Sequence, residues 1–225
     1  MQIEENGIVY KLDKANKTAK ITAYRATDIY EIVIPPTIKT YTGFNQNIYN
    51  VTEIADGALQ YTDIKKITLP ATIVRIGQCA FMGSEISYVS WKGAFSLIID
   101  DSAFANCTEL VNVEFSGIVK LIGDNHFVNC YKLEEIDSCN IRGRIGQWSF
   151  AQCSKLYEFH LSDDVIVERN SFENTNFCQM FIGNNVKISG EVKHTLNTIN
   201  ILCNANSDIL DLAYEGYNVC VIDKN

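Results

Sequence analysis

The sequence predicts an α/β solenoid, a right-handed superhelix of stacked coils with one parallel sheet built from a short strand of each coil. Two locked periodic signatures predict it, together with the place where coil length varies. The first signature is GAL ending at Leu59, then CAF at Phe81, SAF at Phe104, NHF at Phe127, WSF at Phe150 and NSF at Phe172, with steps of 22, 23, 23, 23 and 22 residues. The second, I-x-x-I-x-L, keeps the same beat. It reads Ile64-Ile67-Leu69, Ile86-Val89-Trp91, Leu110-Val113-Phe115, Leu133-Ile136-Ser138, Leu156-Phe159-Leu161 and Phe177-Met180-Ile182. Self-similarity at roughly 20–50 residues is the mark of repeat architectures.

Length variation supplies the third observation. The longer copies carry an extra residue and a cysteine, as in FANCTEL, FVNCYKL and FAQCSKL, whereas LQYTDI, FMGSEI and FENTNF are one residue shorter. An insertion that leaves both apolar ladders in register belongs in a turn. Each coil then runs strand, turn, a short A-F segment as a helical or 3₁₀ turn, a second turn, and the next strand. Ile76-Gly77, Ile122-Gly123 and Ile145-Gly146 mark the bend before the A-F segment, where glycine supplies a positive φ. One coil cannot bury its own Ile and Phe ladders, but stacking at the strand spacing shelters each ladder residue between its equivalents.

The elements follow in chain order within one continuous domain. Residues 1–50 form an N-terminal β cap, beginning with a hairpin over GIVYKLDKANKTAKITAY whose turn is DKANK. A first rung at Ile29–Ile34 superposes on Ile64–Leu69, and the gap between them exceeds one period. The excess, TYTGF, NQN and IYNVTEI, reads as two strands around an Asn-rich turn. Residues 51–202 form the solenoid, ending on a worn rung at Leu196-Ile199-Ile201. Residues 203–225 cap it with a short helix, Asp208 to Gly216, and a strand, Val219–Ile222. Both ends need caps, because an open solenoid exposes its apolar interior.

In the rung strands the ladder residues point inward and the alternate positions face solvent. Those positions are Lys66 and Thr68, Tyr88 and Ser90, Asn112 and Glu114, Glu135 and Asp137, Glu158 and His160, Gln179 and Phe181, and Thr198 and Asn200. Their diversity beside monotonous ladders is the pattern of a variable recognition face on a fixed frame. Tyr88, Asn112, Glu114, Glu135, Asp137, Glu158, His160 and Phe181 are the candidate ligand-binding residues.

Composition narrows the classes. A chain of 225 residues can bury roughly 70–75% of its extended surface and needs neither metal nor disulfide to fold. The formal charge of −8 argues against a nucleic-acid partner, which requires clustered Lys and Arg. No stretch is apolar for the length of a membrane span. The opening MQIEENGIVYK has no basic region followed by an apolar core, so no leader is expected within it.

The motif A-F-x-x-C-x-x-L-x-x-I-x-L-P, with I-G before the A-F, resembles the BspA-like leucine-rich repeats. SAFANCTELVNVEF, WSFAQCSKLYEFHL and DIKKITLPATIVRIGQCAF carry it best, and the resemblance spans roughly Gly7 to Ile201. It implies a leucine-rich-repeat-type solenoid with this kind of N-terminal cap. It also implies use as a cell-surface or secreted, adhesin-like protein binding a protein or glycan. Ser138 and Trp91 replace ladder leucines, and the Asn ladder of the best-known leucine-rich repeats is missing, departures that bear on curvature. The missing leader and the eight cysteines keep an intracellular interaction scaffold in the cytoplasm as the alternative.

Other residues invite chemistry and are read as structural. Cys107, Cys130 and Cys153 recur at one coil position, but zinc sites use close pairs such as C-x-x-C, and none occurs. They are read as small buried turn residues, and all eight cysteines as free thiols. His126, His160 and His194 are spaced by 34, not a whole number of coils, so no shared metal is expected. His126 is read as structural and His160 as exposed. Glu114, Glu135, Asp137 and Glu158 form an acidic strip that is either merely solvated, a patch for a basic partner, or a calcium site. Glycoside hydrolysis is rejected because an open sheet offers no cleft. Tyr157 and Trp148 are further exposed aromatics. With no catalytic motif, no enzyme, metal or cofactor is expected.

Overall fold

The fold, that of a computed structural model, is described for residues 1–26, 28–176 and 179–188, with the strands at Asn200–Cys203 and Val219–Val221. The N-terminus is an antiparallel meander of β1 (Gln2–Glu5), β2 (Ile8–Asp13) and β3 (Thr18–Tyr24). β1 is an addition to the expected hairpin. Asn6 and Gly7 turn into β2 with φ of 51° and 76°, the paired left-handed residues that a tight hairpin needs. The DKANK turn stands where expected, its Asp13 carboxylate accepting the backbone N–H groups of Ala15 and Asn16 at 2.9 and 3.1 Å.

The first rung is β4 (Glu31–Val33), and the inserted segment is a hairpin of β5 (Thr37–Thr42) and β6 (Asn45–Ile54). Its turn is Gly43-Phe44 instead of NQN, since Gly43 adopts φ 59°. β6 pairs in parallel with β3 and runs through residue 50, so the cap passes without a break into the coils.

The next coils each contribute two strands: β7 (Lys66–Leu69) and β8 (Arg75–Ile76), β9 (Tyr88–Trp91) and β10 (Ser96–Ile99), β11 (Asn112–Phe115) and β12 (Ile118–Leu121), then β13 (Glu135–Ile136) and β14 (Ile141–Arg142). The expectation of a single parallel sheet is therefore corrected. One row, β4-β7-β9-β11-β13, is the predicted ladder, and a second row, β6-β8-β10-β12-β14, lies beside it. The second row exists because each coil carries another alternating apolar pair. Leu97 and Ile99 point inward around a solvent-facing Ile98, and Val119 and Leu121 do so around Lys120.

The A-F segments make the third side of each coil, and here the α component of the prediction is corrected. They are successive turns, and the 3₁₀ turn Ser138–Asn140 is the helix of the described residues. Two left-handed residues bracket each segment, among them Ser102 and Asn106, Asn125 and Asn129, Trp148 and Gln152, and Asn170 and Asn174. That geometry breaks the i to i−4 bonding of a helix and turns alternate N–H groups to the next coil. Phe81 N reaches Ala103 O at 2.8 Å, Phe104 N reaches His126 O at 2.9 Å, and Phe127 N reaches Ser149 O at 2.7 Å. The phenyl rings of Phe81, Phe104, Phe127, Phe150 and Phe172 stack in one interior column, with centroids 4.9, 5.1, 5.2 and 5.6 Å apart.

The recurring cysteines are explained at the same corner. In two of the short coils a hydroxyl satisfies the carbonyl of its own coil's first-signature residue, Thr62 for Leu59 and Thr175 for Phe172. In the long coils the thiol reaches back one coil: Cys107 to Phe81 O at 3.0 Å, Cys130 to Phe104 O and Cys153 to Phe127 O at 3.2 Å. Burial pushes the Cys107 thiol up to about 12 and the other two upward as well, which leaves them inert as nucleophiles. The described cysteines, Cys79 and Cys139 included, are free thiols.

Glycine at the Ile-Gly pairs has a different cause from the one expected. Gly123 does adopt φ 94°, but Gly77 and Gly146 do not have positive φ. They are required by close approach: a Cβ on Gly146 would lie 2.0 Å from Gly123 O and 2.5 Å from Asp124 Oδ1. That Asp124 carboxylate accepts Gln147 N at 2.8 Å and pairs with Arg144 at 2.9 Å. Gly146→Ala is expected to destabilise the chain by about 1–3 kcal/mol, the usual cost of overpacking. Urea unfolding checks it, and a midpoint equal to that of the parent chain would contradict the packing described here.

The first row stops at the coil where Ser138 replaces the ladder leucine, while the second changes partner within that coil, on either side of Gly143. β13 is two residues long, and the chain then enters the 3₁₀ turn. The rows restart as β15 (Arg144–Ile145), β16 (Glu158–Leu161), β17 (Ile166–Val167), β18 (Gln179–Ile182), β19 (Lys187–Ile188), β20 (Asn200–Cys203) and β21 (Val219–Val221). These form two further parallel sheets, β15-β17-β19 and β16-β18-β20-β21. Side chains replace main-chain ladder bonds at the gap. His160 N donates to Ser138 Oγ and Phe115 N to Asp137 Oδ2, both at 2.8 Å, and Asn140 Nδ2 donates to Phe115 O at 2.5 Å. Leu196, Ile199, Phe177, Cys178, His194, Thr198 and the helix expected from Asp208 to Gly216 lie outside the described residues.

Candidate functional site

The register of the predicted ladder arranges the solvent side of the strand face. Glu31, Lys66, Tyr88, Asn112 and Glu135 fall in one column, and Val33, Thr68, Ser90 and Glu114 in the next. Past the gap, Glu158 neighbours Gln179 and His160 neighbours Phe181. Among the candidate residues Glu135, Asp137 and Glu158 are exposed, while Tyr88, Asn112, Glu114, His160 and Phe181 are half-buried. Ser90, expected to face solvent, is 1% exposed. It is covered because its hydroxyl donates to Glu114 Oε2 at 3.2 Å, beside Lys92 on the same oxygen at 3.3 Å. The Tyr88 hydroxyl also donates to Glu114, which raises the phenol's pKa and, with the help of Lys92 and Ser90, lowers that of the carboxylate.

His160 is held and not free. Its ring stacks on Phe181 with centroids 4.2 Å apart and planes 9° off parallel, and Nε2 lies 2.5 Å from Glu158 Oε1. Asn112 Nδ2 donates to Glu135 Oε2 at 2.8 Å. The strand face is thus a partly ordered polar surface and not a loose fringe of charges.

The gap between β13 and β16 opens a cleft of about 820 Å³, lined by Asn112, Glu114, Glu134, Glu135, Asp137, Ser138, Cys139, Lys155, Tyr157, Glu158 and His160 among others. The expectation that an open sheet offers no cleft is corrected at this rung. Six of the eight candidates meet there: Asn112, Glu114, Glu135, Asp137, Glu158 and His160. Tyr88 and Phe181 stand one rung to either side. The cleft does not revive glycoside hydrolysis, which needs one carboxyl shielded from water to stay protonated. Glu134, Glu135, Asp137 and Glu158 are all exposed, and the Tyr88 hydroxyl holds the half-buried Glu114 carboxyl below its usual range.

Glu134, Lys155 and Cys139 were beyond the reach of the alternation rule, which counts only strand positions. The legible signal was the polar run Asp137-Ser138-Cys139-Asn140 where a ladder leucine belongs. Trp148 is exposed with φ 58° but sits in an A-F turn, away from the strand face. His126 is buried and structural, between Ser149 Oγ at 3.0 Å and Ile122 O at 3.1 Å. No group of His, Cys, Asp and Glu among the described residues is arranged to hold a metal ion. Nor is any described helix long and apolar enough to cross a membrane.

Comparison with known proteins places this geometry in context. The family model of the BspA type leucine rich repeat region matches six copies, over residues 17–90 and 95–195. The chain is similar to a leucine rich cell surface protein of Faecalibacterium prausnitzii A2-165, with 22% identity, a TM-score of 0.72 and coverage of 92% of this chain and 55% of that one. It therefore spans about half of that protein's length. It is also similar to the T. pallidum leucine-rich-repeat protein, with 18% identity, a TM-score of 0.55 and coverage of 98% of both chains. At these identities the likeness is one of fold. No curated protein matches the chain in sequence.

Proposed function

Because the chain belongs to the BspA-type leucine-rich-repeat family, we propose that it is a non-catalytic recognition module, binding a protein or glycan partner at the cell surface or after secretion through its strand face. The observation that carries this reading is the concentration of varied polar and aromatic side chains around the rung where the regular ladder gives way to a cleft. Recognition sites favour a few anchors on a rigid support, and the stacked His160–Phe181 pair supplies such an anchor.

A screen of the purified chain on protein and glycan arrays tests the proposal, with Tyr88→Ala, Glu135→Ala and Phe181→Ala as companions. Each substitution should change thermal stability little, since the side chains are exposed or half-buried, and the hits should weaken by tenfold or more in at least one variant. Hits that ignore all three substitutions would place binding elsewhere. The free thiols favour a second reading, an intracellular interaction scaffold, since oxidising compartments usually pair their cysteines. Fractionation of the source cells separates the two.

A further inference from the structure

The β5–β6 hairpin is an insertion in the repeat period, and its side chains change character in order from tip to stem. Phe44, beside Gly43 at the turn, stands wholly in solvent. Behind the turn pair Thr42 and Asn45 comes Tyr41 opposite Gln46, an exposed ring whose hydroxyl accepts Gln46 Nε2 at 3.0 Å. Two residues further back stand Lys39 and Ile48, opposite one another and both exposed. On the other face, at nearly the same level, Lys17 Nζ donates to Asn47 Oδ1 at 3.2 Å and lies 5.3 Å from the Tyr49 ring centroid. No carboxylate occurs from Thr37 to Thr52.

A lone exposed apolar ring is ordinary on a protein surface. Here the order of the layers selects the partner: an apolar tip, then a ring with a polar end, then cations. Two residues of strand rise roughly 7 Å, close to the depth of the headgroup region on one side of a bilayer. Rings with a polar end collect at membrane interfaces, and lysines are drawn to anionic headgroups. A pocket on another protein could take Phe44, but it would account neither for the graded order nor for the missing acids. The net charge of −8 is carried outside the hairpin and is screened beyond about 8 Å at physiological salt.

We propose that the β5–β6 hairpin docks the protein on an anionic lipid surface. Phe44 enters the acyl layer, Tyr41 sits at the interface, and Lys39 and Lys17 lie among the headgroups. Docking by one ring and two cations is peripheral and reversible. The hairpin belongs to the second row of strands, so this surface is separate from the strand face proposed above for recognition.

The test is cosedimentation of the whole chain with vesicles of phosphatidylcholine, alone or mixed with phosphatidylserine. The mixed vesicles should bind at least tenfold more tightly. Phe44→Ala should lose fivefold or more on them, and so should Lys17→Gln combined with Lys39→Gln. Lys65→Gln with Lys132→Gln, an equal charge change away from the hairpin, should change binding less than twofold. In Phe44→Trp, lipids brominated in their chains should quench the added indole and leave the parent's emission unchanged. Equal binding by the parent and Phe44→Ala would overturn the proposal, as would equal binding to the two kinds of vesicle. Self-association without lipid that is lost in Phe44→Ala would put a second copy on the tip and overturn it too. Glu135→Ala and Phe181→Ala should leave vesicle binding intact, so failure of this inference and failure of the strand-face reading are told apart.

Discussion

Phe127→Ala lowers the stability of the chain by about 3–5 kcal/mol, the range for truncating a buried aromatic. The ring has no solvent exposure and lies between Phe104 and Phe150, at 5.1 and 5.2 Å, with planes 3° and 10° off parallel. Removing it takes a contact surface from both neighbours at once. Collapse cannot repair the hole, because Phe127 N is bonded to Ser149 O at 2.7 Å and Phe104 N to His126 O at 2.9 Å, which holds the coils at fixed spacing. The cost therefore belongs in the upper part of the range, where the cavity persists. Thermal unfolding followed by circular dichroism should drop by roughly 2–4 °C for each kcal/mol lost in a chain of this size. Phe44→Ala is the matched control, since that ring stands wholly in solvent at the tip of the β5–β6 hairpin. If the two variants melted together, the stacked column would not be the core of this protein.

Acid should begin to destabilise the chain before its carboxylates are protonated, and His126 is the reason. Its Nε2 faces a carbonyl oxygen, which only accepts, so that nitrogen carries the proton and Nδ1 accepts from the Ser149 hydroxyl. The neutral ring is satisfied. Burial opposes a second proton and lowers the pKa to about 4, against the pull of the Ile122 carbonyl, Asp101 and Asp124 and with the help of Arg144. The unfolded chain binds that proton near pH 6.5, the folded chain only near 4. Between those values the unfolded state holds more protons, so stability is full above pH 6.5 and falls as pH drops toward 4. At about 1.4 kcal/mol per unit of pH, the loss is on the order of 3 kcal/mol. Urea midpoints measured from pH 7 to pH 4 for the parent chain and for His126→Asn check this. The parent should lose stability steadily across the window, and the variant, whatever its starting value, should show a much shallower slope. Parallel slopes would assign the acid sensitivity to other groups.

How far the fold could be read from the sequence depended on whether a feature repeats. Phe81, Phe104, Phe127 and Phe150 recur at a constant step, so one interior column was legible before any coordinates. The second row of strands was written as plainly in Leu97-Ile99 and Val119-Leu121, but so short an apolar pair is ambiguous between a strand and a bend. The left-handed residues were legible where Asn106, Asn129, Asn170 and Asn174 occupy them, because asparagine tolerates that conformation. They were not legible at Cys79 or Trp148, where neighbouring coils impose it. The helical reading of the A-F segments failed for the same reason: bonding between coils outcompeted bonding within one. Of the candidate site, the alternation rule found Glu135, Glu158 and His160. The cleft escaped it because Ser138 acts through an oxygen that stands in for a main-chain carbonyl, a substitution visible only when two coils are seen together.

The interruption of the first strand row has a mechanical side. Elsewhere main-chain bonds on three walls tie each coil to the next, whereas at this joint the first row is held through the Ser138 hydroxyl, and the load falls on the β15–β17 pairing and the A-F wall with its column of rings. Pulled along its axis, such a rod would part first on the strand face, where the first row is unbonded through its main chain, and a ligand gripping both lips of the opening would act as a splint.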